Sequence, residues 1–212
     1  MHVPICLPGR PNRRLVLTVA LLGVGAAQAL VAVPRIDHEA LCTHKTLTWA
    51  DFRGPSVTKM SQSGAWIAST VVLESFEFDI SPTVGGRFVA KVKYPAVYAV
   101  MDKLKSGVRR GNQNDKTLAH EQVHFDITET YARRFMVELS ELQAIGDSSD
   151  LGLRRDLEYQ VEVAFVATLE ELFSYQDRYD RETGHGLKKR SQKSWALAVQ
   201  EMLAQEPPYP LR

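Results

Sequence analysis

A long helix is predicted most clearly at residues 116–145, which read KTLAHEQVHFDITETYARRFMVELSELQAI. Apolar residues recur in this segment at spacings of seven, three, four and three, at Phe125, Ala132, Phe135, Leu139 and Leu142. On an α-helix this spacing places them along one face, the face that packs against a core. The segment therefore indicates a core-packing helix in the second half of the chain.

Strands are predicted before this helix and further helices after it. Residues 65–80 (AWIASTVVLESFEFDI) and 87–94 (RFVAKVKY) are rich in β-branched and aromatic residues and are bounded by glycine. Helical spacing returns at 153–179 and 191–203, and residues 97–104 are predicted as a short helix before a polar loop at 106–115. The pattern predicts an α+β fold, with a small antiparallel sheet in the N-terminal half and a helical half after it.

Composition limits the class of protein. The chain has 212 residues, a length typical of one domain, with 26 Lys and Arg against 25 Asp and Glu. This near-equal number of basic and acidic residues gives no sign of the clustered basic face that nucleic-acid binding needs. No nucleic-acid partner is therefore expected. The two cysteines are too few for a disulfide scaffold.

The N-terminal residues have the pattern of an export signal. Three arginines, Arg10, Arg13 and Arg14, precede an apolar run at residues 15–33, and no acidic residue occurs before Asp37. The small-x-small triplet at residues 27–29 predicts cleavage after Ala29, with Ala32 as the alternative. We therefore expect a signal peptide at 1–29, one domain at 30–212, a periplasmic or secreted location, and no membrane contact after cleavage. The alternative is an anchor formed by an uncleaved N-terminal helix.

The helix at 116–145 carries the motif H-E-x-x-H, as His120-Glu121-Gln122-Val123-His124. Positions i and i+4 lie on one helix face, so both imidazoles can reach the same metal ion, and zinc takes such nitrogen ligands. Glu121 follows the first ligand directly and is placed beside the metal, where it can act as general base towards a zinc-activated water. The motif predicts a Zn²⁺ site with His120 and His124 as ligands and Glu121 as catalytic residue.

A catalytic zinc site needs a third protein ligand, and it must come from farther along the chain. His185 is our prediction, because it is the last histidine and lies between two glycines that let the backbone approach closely. Four acidic residues remain as alternatives: Asp180, Glu182, Glu158 and Glu162.

Three blocks of sequence resemble a bacterial domain-of-unknown-function family described as predicted secreted zinc-dependent proteases. These blocks are residues 47–55 (LTWADFRGP), residues 119–127 (AHEQVHFDI), and YDRETGHG at 179–186 followed by Gln192 and Trp195. The resemblance implies a zincin-like metallopeptidase fold, with His120 and His124 as zinc ligands and Glu121 as base.

The function expected from these observations is zinc-dependent hydrolysis of peptide bonds by an exported enzyme acting on a peptide or protein substrate. Two alternatives remain open. One is a zinc amidase acting on cell-envelope material, and the other is a non-catalytic envelope protein that binds a metal or a partner.

Overall fold

The computed structural model describes residues 40–56, 64–147 and 151–209. Within them the chain forms six strands and three long helices, plus one 3-10 turn at Trp49–Asp51. In chain order the elements are β1 (Leu41–Thr43), β2 (Ala65–Trp66), β3 (Ser69–Pro82), β4 (Phe88–Asp102), β5 (Gly107–Val108), α1 (Asp115–Glu141), β6 (Gln143–Gly146), α2 (Leu151–Thr183) and α3 (Lys189–Gln205). The predicted α+β class, with a small antiparallel sheet first and helices second, is confirmed.

Strand β4 is the centre of the main sheet. It pairs antiparallel with β3 along nearly its whole length. Its other side pairs with β1 at one end and with β6 at the other, where Lys91 lies opposite Gln143. Strand β3 therefore forms one edge of the sheet, and its outer backbone groups have no strand partner among the described residues.

The three helices pack on one another and on this sheet around a single core. The buried face of α1 includes Phe125 and Phe135, and that of α2 includes Leu157 and Phe165. The rings of Phe135 and Phe165 lie 5.3 Å apart between centroids. Burying a side chain of this size contributes about 1.5–3 kcal/mol to the stability of the fold. The packing of the helices therefore holds the site described below in place.

The prediction of a short helix at 97–104 is wrong, because residues up to Asp102 continue strand β4. Val100 lies opposite Thr43 of β1 and opposite Thr70 of β3, so it is paired on both sides. A helix here would lose both sets of interstrand hydrogen bonds, and these depend on strands that are remote in sequence.

The first long helix ends earlier than predicted, at Glu141 instead of residue 145. The backbone of Leu142 is extended, and residues Gln143–Gly146 pair with β4 as β6. Ala144 fills the core from this strand, a buried position that the helical row ending at Leu142 does not include. The second and third helices lie where predicted and extend a few residues further at both ends.

The predicted signal peptide lies outside the described residues. Among the residues that are described, none of the helices is both long enough and apolar enough to cross a membrane.

Candidate metal centre

Helix α1 presents the three predicted motif residues from one buried turn. The helix starts at Asp115, and the side chain of Asn114 caps it by accepting a hydrogen bond from the Thr117 backbone N–H at 3.0 Å. The rings of His120 and His124 lie 4.9 Å apart between centroids, as expected for positions i and i+4. Glu121 is 2% exposed, so a carboxylate is held inside the protein beside the first histidine.

The third member of the cluster is Asp180, which comes from α2. Its Oδ1 lies 3.1 Å from Nε2 of His120 and 3.1 Å from Nε2 of His124. Burial alone would raise the pKa of the Asp180 carboxyl, but the two adjacent imidazoles hold it well below its usual range. Asp180 is therefore an ionised oxygen donor at the point on which both imidazoles converge.

Two glutamines bind the opposite nitrogens of the histidines. Nδ1 of His124 lies 2.8 Å from Oε1 of Gln176, and Nδ1 of His120 lies 3.1 Å from Oε1 of Gln192. Because an amide oxygen only accepts, each imidazole donates from Nδ1, and its Nε2 is the nitrogen that faces Asp180. A hydrogen-bond partner on the nitrogen that does not bind the metal fixes the tautomer and the ring orientation of a metal-binding histidine.

Further contacts fix the orientation of both amides. The Nε2 group of Gln176 donates to the Thr128 hydroxyl, which donates to the His124 carbonyl at 3.0 Å. The Nε2 group of Gln192 donates to the Tyr179 hydroxyl at 2.6 Å, and that hydroxyl donates to the His120 carbonyl at 3.2 Å. Burial raises the pKa of Tyr179 far above its usual range, so the hydroxyl keeps its proton.

The donor set fits a zinc ion. Two imidazole nitrogens and one carboxylate oxygen converge, and each nitrogen–oxygen separation is 3.1 Å. Donors about 2.0–2.1 Å from a tetrahedral zinc lie about 3.3 Å from one another, close to the observed spacing.

His185 approaches the cluster from behind Asp180. Its Nδ1 lies 3.4 Å from Oδ2 of Asp180, the oxygen that faces away from the two motif histidines, and the side chain is 35% exposed. Gly184, His185 and Gly186 all have positive φ, which turns the chain sharply back towards α1. A Cβ on Gly186 would lie 3.0 Å from Cγ of His120, so the turn packs directly against a motif histidine.

The structure thus brings together His120, His124 and Asp180, whose ligand atoms all lie within 4.8 Å of one another. Among the described residues this is the group that could hold a metal ion, and it contains the alternative third ligand Asp180 and not His185. The other acidic alternatives lie elsewhere. Glu182 accepts a hydrogen bond from Trp195, Glu162 is exposed on the outer face of α2, and Glu158 is absent from the group.

The sequence alone does not reveal the role of the two glutamines. Gln192 lies in the third resemblance block and Gln176 lies within the second long helix, and neither position marks the amide as a partner of a histidine. Gln176 lies one helical turn before Asp180, so the i, i+4 spacing that identified the motif histidines applies here too. That spacing is informative only once the face of α2 that meets α1 is known.

Fold and site together define an α+β protein whose first long helix and second long helix form a buried two-histidine, one-carboxylate cluster. Residues 84–186 match the model of a bacterial protein family of unknown function, DUF922. The matched range includes both the H-E-x-x-H motif and the Asp180–Gly186 segment. No curated protein and no solved structure matches the chain.

Proposed function

We propose that this protein is an exported zinc-dependent metallopeptidase. The observation that carries the proposal is the convergence of two imidazole nitrogens and one carboxylate oxygen next to a second, buried carboxylate, Glu121. In this proposal His120, His124 and Asp180 hold the zinc. His185, our first expectation for the third ligand, instead supports Asp180 through its second oxygen.

The proposed roles follow from the positions of the side chains. When bound, zinc supplies Lewis acidity, which lowers the pKa of water to about 7 and polarises a carbonyl group. Glu121 accepts the proton of the attacking water and passes it to the leaving amine. Gln176 and Gln192 keep the Nδ1 protons of the two histidines in place, so that both Nε2 atoms remain available as ligands.

The edge strand β3 offers a place for an extended peptide. Ser69, its first residue, lies 2.9 Å from the Thr128 hydroxyl, which also binds Gln176 beside the cluster. The free edge of the sheet thus begins next to the proposed zinc site. A peptide added along this edge would use the backbone for affinity and its side chains for selectivity, a common mode of peptide recognition.

The first experiment measures metal content and hydrolysis in the same samples. Plasma mass spectrometry should find about one zinc per chain in the wild type and in Glu121→Gln, because Glu121 is not a ligand in this proposal. Cleavage of a mixed library of fluorogenic peptides should fall about 10²–10⁴-fold in Glu121→Gln, the usual effect of losing a general base.

A matched variant controls for the removal of a carboxylate from α1. Glu138 lies on the same helix and is exposed, so Glu138→Gln should keep both zinc and activity. A wild-type protein that takes up no zinc on reconstitution would overturn the proposal. Iron in place of zinc would also overturn it, because two histidines and one carboxylate are a ligand set that Fe(II) enzymes use.

The same assay separates the two alternatives. Release of amine from envelope glycopeptides, with no cleavage of the peptide library, would favour the zinc amidase. Zinc binding with no difference between wild type and Glu121→Gln on either substrate would favour the non-catalytic metal-binding protein.

A further inference from the structure

The outer face of α2 carries an apolar stripe that the fold leaves uncovered. Tyr159, Val163 and Val166 are 67%, 50% and 49% exposed, and their spacings of four and three place them in one row along the helix. Together with Glu162, Ala167 and Glu170 they line a groove on the surface. We call Tyr159, Val163 and Val166 the outer stripe. Scattered exposed apolar residues are ordinary, but a contiguous row on one helix face marks a contact surface.

The outer stripe has opposite charges at its two ends. Arg155 lies one turn before Tyr159, and Glu170 lies one turn after Val166. Both side chains are exposed, and within the described residues neither takes part in an ion pair. At 100° per residue the two positions differ by about 60° around the helix, so both flank the same row.

The end charges and the outer residues of the stripe are symmetric about one point along α2. Arg155 and Glu170 are equally far in sequence from the midpoint between Glu162 and Val163, and so are Tyr159 and Val166. A second α2 helix, running antiparallel about a twofold axis at that midpoint, would pair each apolar residue with an apolar one and each end charge with its opposite. Two-fold pairing through one shared surface is the commonest form of protein self-association.

We propose that a second copy of this chain docks on the outer stripe, forming an antiparallel two-fold dimer through α2. Arg155 then faces Glu170 of the partner subunit, and Tyr159 packs against Val166 of the partner subunit. Val163 lies beside the axis against its own counterpart. Glu162 lies at the rim, where the two copies bring like charges together. This inference is independent of the metal site, which lies on the inner face of the same helix.

Other occupants fit the stripe less well. The apolar N-terminal run at 15–33 has no charged residue, so it offers no partner to Arg155 or Glu170. An anionic lipid surface would be repelled by Glu162 and Glu170, which border the stripe. An antiparallel copy of the same helix instead places an opposite charge beside the charge at each end of the stripe.

Sedimentation equilibrium of the isolated protein over the micromolar range tests the proposal. The wild type should show a concentration-dependent monomer–dimer equilibrium, and Val163→Glu should be monomeric throughout, because it places two carboxylates beside the axis. Val137→Glu is the matched control, since Val137 is an exposed valine on α1 outside the stripe and this variant should still dimerise. Circular dichroism should show that both variants remain folded.

Charge reversal tests the antiparallel register. Arg155→Glu and Glu170→Arg should each weaken dimerisation about tenfold, because each sets like charges together at both ends. The double variant should restore wild-type association, and Glu162→Gln should strengthen it by removing the repulsion at the rim. A wild type that stays monomeric, a dimer that survives Val163→Glu, or a double variant no better than the singles would overturn the proposal.

Discussion

Helices α1 and α2 both supply the candidate metal centre, but they do so by different physical means. Helix α1 brings His120, Glu121 and His124 from a single turn, so their relative positions depend only on local helix geometry. Helix α2 brings Gln176 and Asp180, one turn apart, and these reach the histidines only because the two helices pack closely. The α1 half of the site is therefore set locally, whereas the α2 half is set by tertiary packing. Changes on α2 or at its end should consequently alter metal affinity through position as well as through chemistry.

The largest effect should come from the proposed ligand on α2, Asp180. Asp180→Asn keeps the size of the side chain but removes the charge, and zinc affinity should fall at least about 100-fold, since losing a residue that only hydrogen-bonds to a ligand already costs about 10–100-fold. Zinc affinity is measured by competition with a chromogenic chelator.

His185→Asn is the paired variant. Asparagine tolerates the positive φ of residue 185, and its side chain is polar like the imidazole, whose Nδ1 lies 3.4 Å from Oδ2 of Asp180. This variant should keep most of the zinc affinity. A large loss in His185→Asn, together with little change in Asp180→Asn, would instead make His185 the third ligand, as the sequence first indicated.

The next largest effect should come from the glutamine that holds His124. Gln176→Ala leaves Nδ1 of His124 without its acceptor, so the ring can turn or change tautomer, and zinc affinity should fall about 10–100-fold. Gln122→Ala is the control on α1. Gln122 lies within the motif but binds Leu47, Lys45 and Asp126 instead of an imidazole. Gln122→Ala should lower stability and leave zinc affinity unchanged, and equal losses of zinc affinity in both variants would contradict the assigned role of Gln176.

A smaller effect should follow from moving the turn at the end of α2. Gly186 and Gly86 have φ of 77° and 78°, so an alanine at either position meets the same backbone strain, about 1–2 kcal/mol. Only at Gly186 does the new Cβ meet His120, whereas nothing lies within 4 Å of a Cβ at Gly86. Zinc affinity should therefore fall roughly tenfold in Gly186→Ala, at the low end of the losses seen when a contact that orients a metal ligand is disturbed. It should stay unchanged in Gly86→Ala, although the melting temperatures of both variants drop.

The contrast between the two helices also explains which residues could be predicted from the sequence. The motif on α1 can be recognised in the sequence because residues four positions apart lie on the same face of a helix. Asp180 remained only one of several alternatives, because its contact with His120 joins residues 60 positions apart along the chain. Gln192 was harder still, since an amide gains its role only when packing places it 3.1 Å from a particular imidazole nitrogen.

Dependence on residues that are distant in sequence also limits how much of the fold can be predicted. The overall order of sheet and helices follows from hydrophobic periodicity, which each segment carries by itself. The misassigned segment at 97–104 carries a pattern that both a strand and a short helix can satisfy. Its conformation is decided by β1 and β3, whose pairing with β4 involves residues up to 61 positions away.

The smallest effect should come from a locally determined feature outside the site, the cap at Asp51. Its carboxylate accepts hydrogen bonds from the backbone and hydroxyl of Thr48 and from Lys45. Burial would raise the pKa of Asp51, but these partners lower it overall. Because the folded pKa lies below the unfolded value of about 3.9, the stabilisation is complete above that pH and is lost as the pH falls through the folded pKa.

Asp51→Asn should therefore lower the free energy of unfolding by about 1–2 kcal/mol near neutral pH, the usual effect of losing a charged cap. The difference from wild type should shrink as the pH falls below about 4, because the wild-type carboxylate then loses its charge as well. Urea unfolding at several pH values measures both quantities. Asp79→Asn, which removes an exposed ion pair with Lys93, should change stability far less.

Zinc affinity should be unchanged in Asp51→Asn, because the cap acts on a local turn and not on the packing of α1 against α2. A parallel loss of zinc affinity would mean that the N-terminal segment also positions the metal centre.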